Sequence, residues 1–61
     1  MVRDMVERSV ANPTDADIIS VRREAEQKAI QNGAAPGTVE VSVEVDTQKN
    51  IIRAIAVGAT E

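Results

Sequence analysis

The chain has 61 residues, a formal net charge of −3 and no cysteine, histidine or aromatic residue. A disulfide framework and a zinc site with Cys or His ligands are therefore excluded. Nucleic-acid binding is disfavoured because the basic residues form no stripe and no aromatic ring can stack on bases. No apolar run approaches the ~20 residues that span a bilayer, so we expect a cytoplasmic protein without a membrane partner.

The small size of the chain limits its stability. A domain of this length buries only about 60 % of the surface that it exposes when unfolded, and its core must come from Val, Ile, Ala and Met. Without disulfides or a metal, such a domain needs self-association or attachment to a larger body. We therefore expect residues 1–61 to form a single small module that is a homo-oligomer or belongs to a larger assembly.

Residues 1–11 predict a short amphipathic helix. Asp4 and Arg8 stand four apart on its polar side, in the favoured acid-first order. Its apolar side would expose two methionines, so Met1 and Met5 belong to the predicted interface. The apolar residues recur at the spacing of one helical face, and they are Met1, Val2, Met5, Val6 and Val10.

A second helix is predicted from about residue 13 to residue 32. Asn12 can cap its start, or Thr14 can do so with Asp17 three residues further on. Asp15 and Asp17 then lie in the first turn, where carboxylates favour the positive end of the helix. Capping explains this acidic pair better than a metal site does.

One side of this second helix is predicted to face the core, and Gly33 ends the helix in a left-handed turn. Arg22 and Glu26 lie between apolar groups at helical spacing. Either they form a buried charge pair at an interface, or their stems lie flat with the charged heads in water, which is the interpretation we favour. The predicted core residues of the helix are Ile18, Val21, Ala25 and Ala29.

An antiparallel hairpin is predicted over residues 38–46 and 51–60. Valine alternates with polar residues in its first strand, which is typical of a strand with one buried face. The second strand is apolar and follows a polar, turn-like stretch. The predicted core residues of the hairpin are Val39, Val41, Val43, Val45, Ile52 and Ala54.

The register of the hairpin depends on the length of its loop. A four-residue loop places Val43 opposite Ala54 and pairs Glu44 with Arg53 on the other face. A five-residue loop would bury the Arg53 guanidinium among valines, where a charge is costly. We therefore predict the four-residue loop, with Val41 and Val43 nearly fully buried beneath the second helix.

The predicted fold class is α+β with the layout α-α-β-β, in which a long helix packs on the hairpin. A two-stranded hairpin backed by one helix leaves two open edges and an outer face. We therefore expect another chain to complete the sheet, through an edge or through the outer face. The predicted interface residues of the hairpin are Ile51, Arg53, Ile55 and Val57.

A family resemblance is carried by the stretches REAEQKAIQNGA (23–34), TVEVSVEVD (38–46) and NIIRAIAVGATE (50–61). They resemble a segment of some actin-like ATPases, in the group of hydantoinase/oxoprolinase-type proteins and large subunits of diol dehydratase reactivating factors. The resemblance implies an accessory α/β module beside a nucleotide-binding core. The phosphate-binding loops and catalytic acids of that group have no counterpart here, so ATPase activity is carried over to no residue.

No catalytic constellation is present in the sequence. The serines have no histidine to activate them, and Glu40 and Glu44 would stand about 13 Å apart along a strand, beyond the ~9.5 Å limit of paired carboxylates. We therefore expect no enzyme, no cofactor and no metal. The predicted function is a non-catalytic protein–protein interaction or accessory module, as an excised domain or small subunit of a larger ATPase-like or reactivase-like assembly. The alternative is a free-standing small homo-oligomer that binds a small ligand between protomers.

Overall fold

A computed structural model describes residues 1–60, which form one α-helix and a three-stranded antiparallel sheet. The elements follow in the order β1 (Val2–Ser9), α1 (Asp15–Gln31), β2 (Glu40–Asp46) and β3 (Ile51–Gly58), with one turn of 3-10 helix (Pro36–Thr38) before β2. The α+β class is confirmed, but the α-α-β-β layout is wrong, because the order is β-α-β-β. Glu61, the last residue of the predicted module, lies outside the described residues.

The predicted N-terminal helix over residues 1–11 is instead strand β1. It pairs antiparallel with β3 from Val2 opposite Gly58 to Ser9 opposite Ile51. Valines four apart fit one face of a helix, but four is also an even number, so they share one face of a strand as well. The spacing of the valines therefore fits either structure. Residues 2–9 form a strand because the edge of β3 supplies backbone hydrogen-bond partners along the whole of β1.

Two charged residues on the helix-facing side of β1 interrupt the alternation of apolar and polar residues that is typical of a strand. Asn32 Nδ2 donates to the Asp4 carboxylate and lies 3.0 Å from each of its two oxygens. Arg8 donates to Ser20 Oγ at 3.1 Å and forms an ion pair with Glu24. Because β1 is an edge strand, these side chains reach the polar rim of α1 instead of entering the core.

Helix α1 begins at a capping box and ends at a glycine. Thr14 is the N-cap, so of the two predicted caps, Asn12 and Thr14, the second is the one that the helix uses. Asn12 instead adopts a left-handed turn conformation with φ 55°. At the other end Asn32 is the C-cap, and Gly33 follows with φ 103°, a conformation that costs glycine little.

The predicted register of the hairpin is confirmed. Val43 lies opposite Ala54 and Glu44 lies opposite Arg53, with a four-residue loop between β2 and β3. Asp46, the last residue of β2, stabilises this loop, since its Oδ1 accepts hydrogen bonds from the backbone N–H groups of Gln48 (3.0 Å) and Lys49 (3.1 Å).

The core lies between α1 and one face of the sheet. Strand β3 is central in the order β1-β3-β2, and its residues on that face are fully covered. The prediction that Val41 and Val43 are nearly fully buried is wrong: both are only partly buried, because β2 is an edge strand. The predicted core residue Val45 is 40 % exposed. The buried apolar residues are Val21, Ala25, Ala29, Ala34, Ile52, Ala54 and Ala56; Ile18, Val39, Val41 and Val43 pack against them.

The charged pair on α1 is not buried. Arg22 is exposed and Glu26 is partly buried, so the charged heads reach water along the helix surface.

The described part of the chain holds no helix that is both long and apolar enough to cross a membrane.

Candidate interaction surface

The sheet has one face covered by α1 and one face that we call the open face. Within residues 1–60 no second layer of secondary structure lies on the open face, since α1 packs on the opposite one. Alternation along each strand places every second side chain here. The open face consists of Arg3, Met5, Glu7 and Ser9 on β1, Ile51, Arg53, Ile55 and Val57 on β3, and Glu40, Ser42, Glu44 and Asp46 on β2.

The centre of the open face is apolar. Ile51, Ile55 and Val57 on the middle strand are partly buried by their neighbours. Met5 lies directly opposite Ile55 and is 45 % exposed. The structure therefore brings together five of the six predicted interface residues on the open face, Arg53 included, although Met5 reaches it from a strand and not from a helix.

Met1 is the one predicted interface residue that lies outside the strands. It precedes β1 and is 90 % exposed. It is more exposed than Met5, Ile19 or Val45.

Arg53 is the only cation on the middle strand of the open face, and its charge is balanced within that face. The Glu7 carboxylate accepts from Arg53 Nε at 3.1 Å and from Nη2 at 2.9 Å. Glu44 lies opposite Arg53 on the other side. The hydrogen bonds to Glu7 are the main reason that the pKa of Arg53 is raised above its ordinary value, with further contributions from the charges of Glu44 and Asp46. A partner that covers this row meets a guanidinium that is already paired.

The two margins of the open face differ in charge. The β2 margin is acidic, with Glu40, Glu44 and Asp46 at alternate positions. The β1 margin carries both signs, with Arg3 and Glu7 on either side of Met5. An apolar centre between polar margins is the usual arrangement of a protein contact surface.

Sequence reasoning did not assign Glu7 and Arg3 to this surface. A helix over residues 1–11 gives no reason to place either residue beside Arg53, because Glu7 and Arg53 are 46 positions apart in the sequence. The available signal was the spacing of Val2, Val6 and Val10, which fits a strand face as well as a helix face.

The structure also shows what Asp15 and Asp17 do. Both lie in the first turn of α1, and Asp17 completes the capping box by accepting from Thr14 N–H at 2.9 Å. The part of the chain that the structure describes holds no group of three residues able to ligate a metal ion. The depression beside the hairpin loop, lined by Asp46, Lys49 and Arg53 among others, is open to solvent.

The fold and this surface define a small β-α-β-β protein with one covered and one open sheet face. Comparisons with protein-family models, with curated proteins and with solved structures found no match. The resemblance to a segment of actin-like ATPases therefore stays a prediction.

Proposed function

We propose that this protein is a non-catalytic protein-interaction module and that the open face is its contact surface. The observation that carries the proposal is the row of Met5, Ile51, Ile55 and Val57 on a sheet face without a second layer in the described residues. An open antiparallel sheet with a polar outer face needs no partner. A central strand with three branched apolar residues on that face is more stable when a partner removes those side chains from water.

The charges of the open face support a protein partner. Arg53 is held by Glu7, so covering the centre does not leave an unpaired guanidinium, which would be costly. The remaining charged residues lie at the margins, where they can stay in contact with water in a complex.

The size of the open face indicates a weak contact when one copy acts alone. Strands of seven or eight residues at about 3.4 Å per residue, and three strands at about 4.8 Å, give roughly 27 Å by 14 Å, or about 400 Å². Stable complexes bury about 800 Å² on each partner. The open face of a single chain is therefore suited to a transient contact, or to one part of a larger interface.

Two parts of this proposal rest on sequence alone. The resemblance to actin-like ATPases supports a place as an accessory module of a larger ATPase-like or reactivase-like assembly. A cytoplasmic location agrees with that role. Both would be tested by identifying the full polypeptide and its location in the cell.

The contact surface itself is tested with two matched substitutions. Ile55→Lys places a charge at the centre of the open face, whereas Ile19→Lys places the same charge on the outer side of α1, where Ile19 is already 53 % exposed. We expect sedimentation of the unaltered chain to show species heavier than a monomer, and Ile55→Lys but not Ile19→Lys to reduce that mass. A folded chain whose mass is the same with and without Ile55→Lys at all concentrations would contradict the proposal.

A further inference from the structure

The outer edge of β1 exposes backbone groups whose positions follow from the ladder with β3. Val10 N–H donates to Asn50 O at 2.8 Å, in the same register as the β1–β3 pairs. Because bonded and non-bonded positions alternate along an antiparallel pair, the even-numbered residues of β1 bond to β3. The N–H and C=O groups of Arg3, Met5 and Glu7 therefore point away from the sheet.

The outward position of these groups has independent support. Lys28 Nζ reaches the carbonyl oxygen of Met5 from α1 at 3.5 Å, which is possible only if that carbonyl faces outward. The same residues, Arg3, Met5 and Glu7, have their side chains on the open face. A strand added at this edge would thus extend the open face without interruption.

From this edge we infer that β1 pairs antiparallel with β1 of a second copy, with Met5 opposite Met5 at a two-fold axis. This inference names the partner of the module and rests on the proposed function only for its role in protein contact. In that register Arg3 lies opposite Glu7 of the second copy, and Glu7 lies opposite its Arg3. Both are directly opposed pairs of unlike charge on one face, which stabilise an antiparallel ladder.

The edge of β2 does not offer the same match. Its open-face residues at alternate positions include Glu40, Glu44 and Asp46, so an antiparallel pairing of β2 with itself sets acidic side chains near acidic ones. The charge pattern therefore selects β1 over β2 as the edge that joins two copies.

Lys28 lies at the β1 edge but does not prevent a second strand from pairing there. A lysine over an edge strand is a common way to discourage pairing. Here its contact with Met5 O is long, at 3.5 Å, and its side chain is exposed, so the incoming backbone N–H of a second copy can replace it. Lys28→Ala should accordingly strengthen the pairing, by an amount of about a few-fold.

Pairing at this edge also enlarges the contact surface, which is small in a single chain. Two three-stranded sheets become one six-stranded sheet, and the open faces double to about 800 Å². That area is what a stable complex buries on each partner. The edge-paired dimer would then be the unit that presents the open face.

The test uses complementary charge reversals in the Ile55→Lys background, where stacking of open faces is blocked. Arg3→Glu alone opposes two glutamates across the axis, and Glu7→Arg alone opposes two arginines. We expect each to weaken dimer formation by about tenfold or more. An equimolar mixture of the two chains should restore the dimer as a heterodimer, because every pair across the two-fold axis then has unlike charge.

The controls separate this interface from folding and from the open face. Glu40→Arg makes a charge reversal at the β2 edge and should leave the dimer unchanged, and circular dichroism checks that each chain is folded. Loss of mass in both single variants with recovery in the mixture supports the β1 pairing. A folded Ile55→Lys chain that is monomeric, or a dimer insensitive to Arg3→Glu, overturns it. If the unaltered chain and Ile55→Lys have the same mass and Arg3→Glu lowers it in both, the β1 edge stands and the open-face proposal fails.

Discussion

Arg53 on β3 donates two hydrogen bonds to one carboxylate oxygen of Glu7 on β1, at 3.1 Å and 2.9 Å. The pair crosses the ladder between the first and last strands of the chain, and it occupies the middle of the open face. Glu44, the partner suggested by the hairpin register, lies on the opposite side of the same guanidinium. The charge is thus balanced from both neighbouring strands, so the apolar residues above and below it form a surface that a protein can cover.

Gly58 is expected to tolerate no side chain. A Cβ at this position would lie 2.9 Å from Ala34 Cβ and 3.0 Å from Val39 Cγ2. Gly58→Ala must therefore push apart the end of β3 and the segment before β2, at a cost of about 1–3 kcal/mol in the free energy of unfolding. Urea denaturation measures this cost. Gly37→Ala is the matched control, since no atom lies within 4 Å of its Cβ position. Equal midpoints for the two variants would show that the close approach at Gly58 does not exist.

The core depends more on β3 than on β2. Ile52 is fully buried, whereas Val45, which lies opposite to it on β2, is 40 % exposed. Ile52→Ala should lower the free energy of unfolding by about 2–5 kcal/mol, which is a large share of what so small a domain has. Val45→Ala should cost much less, since it removes methyl groups that already contact water. The prediction fails if chemical denaturation ranks the two in the reverse order.

The capping box makes stability depend on pH. Hydrogen bonds from Thr14, first from its backbone N–H and then from its hydroxyl, lower the pKa of Asp17 below its ordinary value. Because the folded-state pKa is depressed, the contribution of this carboxylate is complete above the unfolded-state pKa of about 3.9. It is lost as the pH falls from there through the folded-state pKa.

Asp17→Asn tests this dependence. The variant should be less stable than the unaltered chain at pH 7, and the difference should shrink as the pH falls below about 4. Thermal unfolding across the pH range gives the measurement. Asp15→Asn, in the same turn but outside the capping box, is the control for charge at the helix start. A difference that is as large at pH 3 as at pH 7 would count against the role given to Asp17.

The helix, the hairpin and its register could be predicted because their signals are local. Valine at every second position defines one face of β2, and a single charged residue, Arg53, distinguishes the two possible loops. Thr14 and Gly33 mark the ends of α1 by capping chemistry that acts over a few residues. From the same register came the apolar row of Ile51, Ile55 and Val57 on the outer face.

Strand β1 could not be predicted because its identity depends on a distant partner. Residues 1–10 have polar side chains on both strand faces, and Asp4 and Arg8 on the covered side are satisfied by Asn32 and Glu24 of α1. No local feature shows that β3 has an edge free to receive them. For the same reason Glu7 was missing from the expected surroundings of Arg53, and the self-complementary edge was invisible until the strand was placed.

The most direct test of the contact surface is whether the open face is covered in solution. A soluble paramagnetic probe broadens the NMR signals of methyl groups that solvent reaches, so it reports the exposure of Ile55 and Ile19 in one sample. We expect the Ile55 methyl signals to be broadened in dilute protein and protected in concentrated protein, while those of Ile19 are broadened in both. Ile55 methyls that stay equally accessible from dilute to concentrated protein, in a folded chain, would contradict the account.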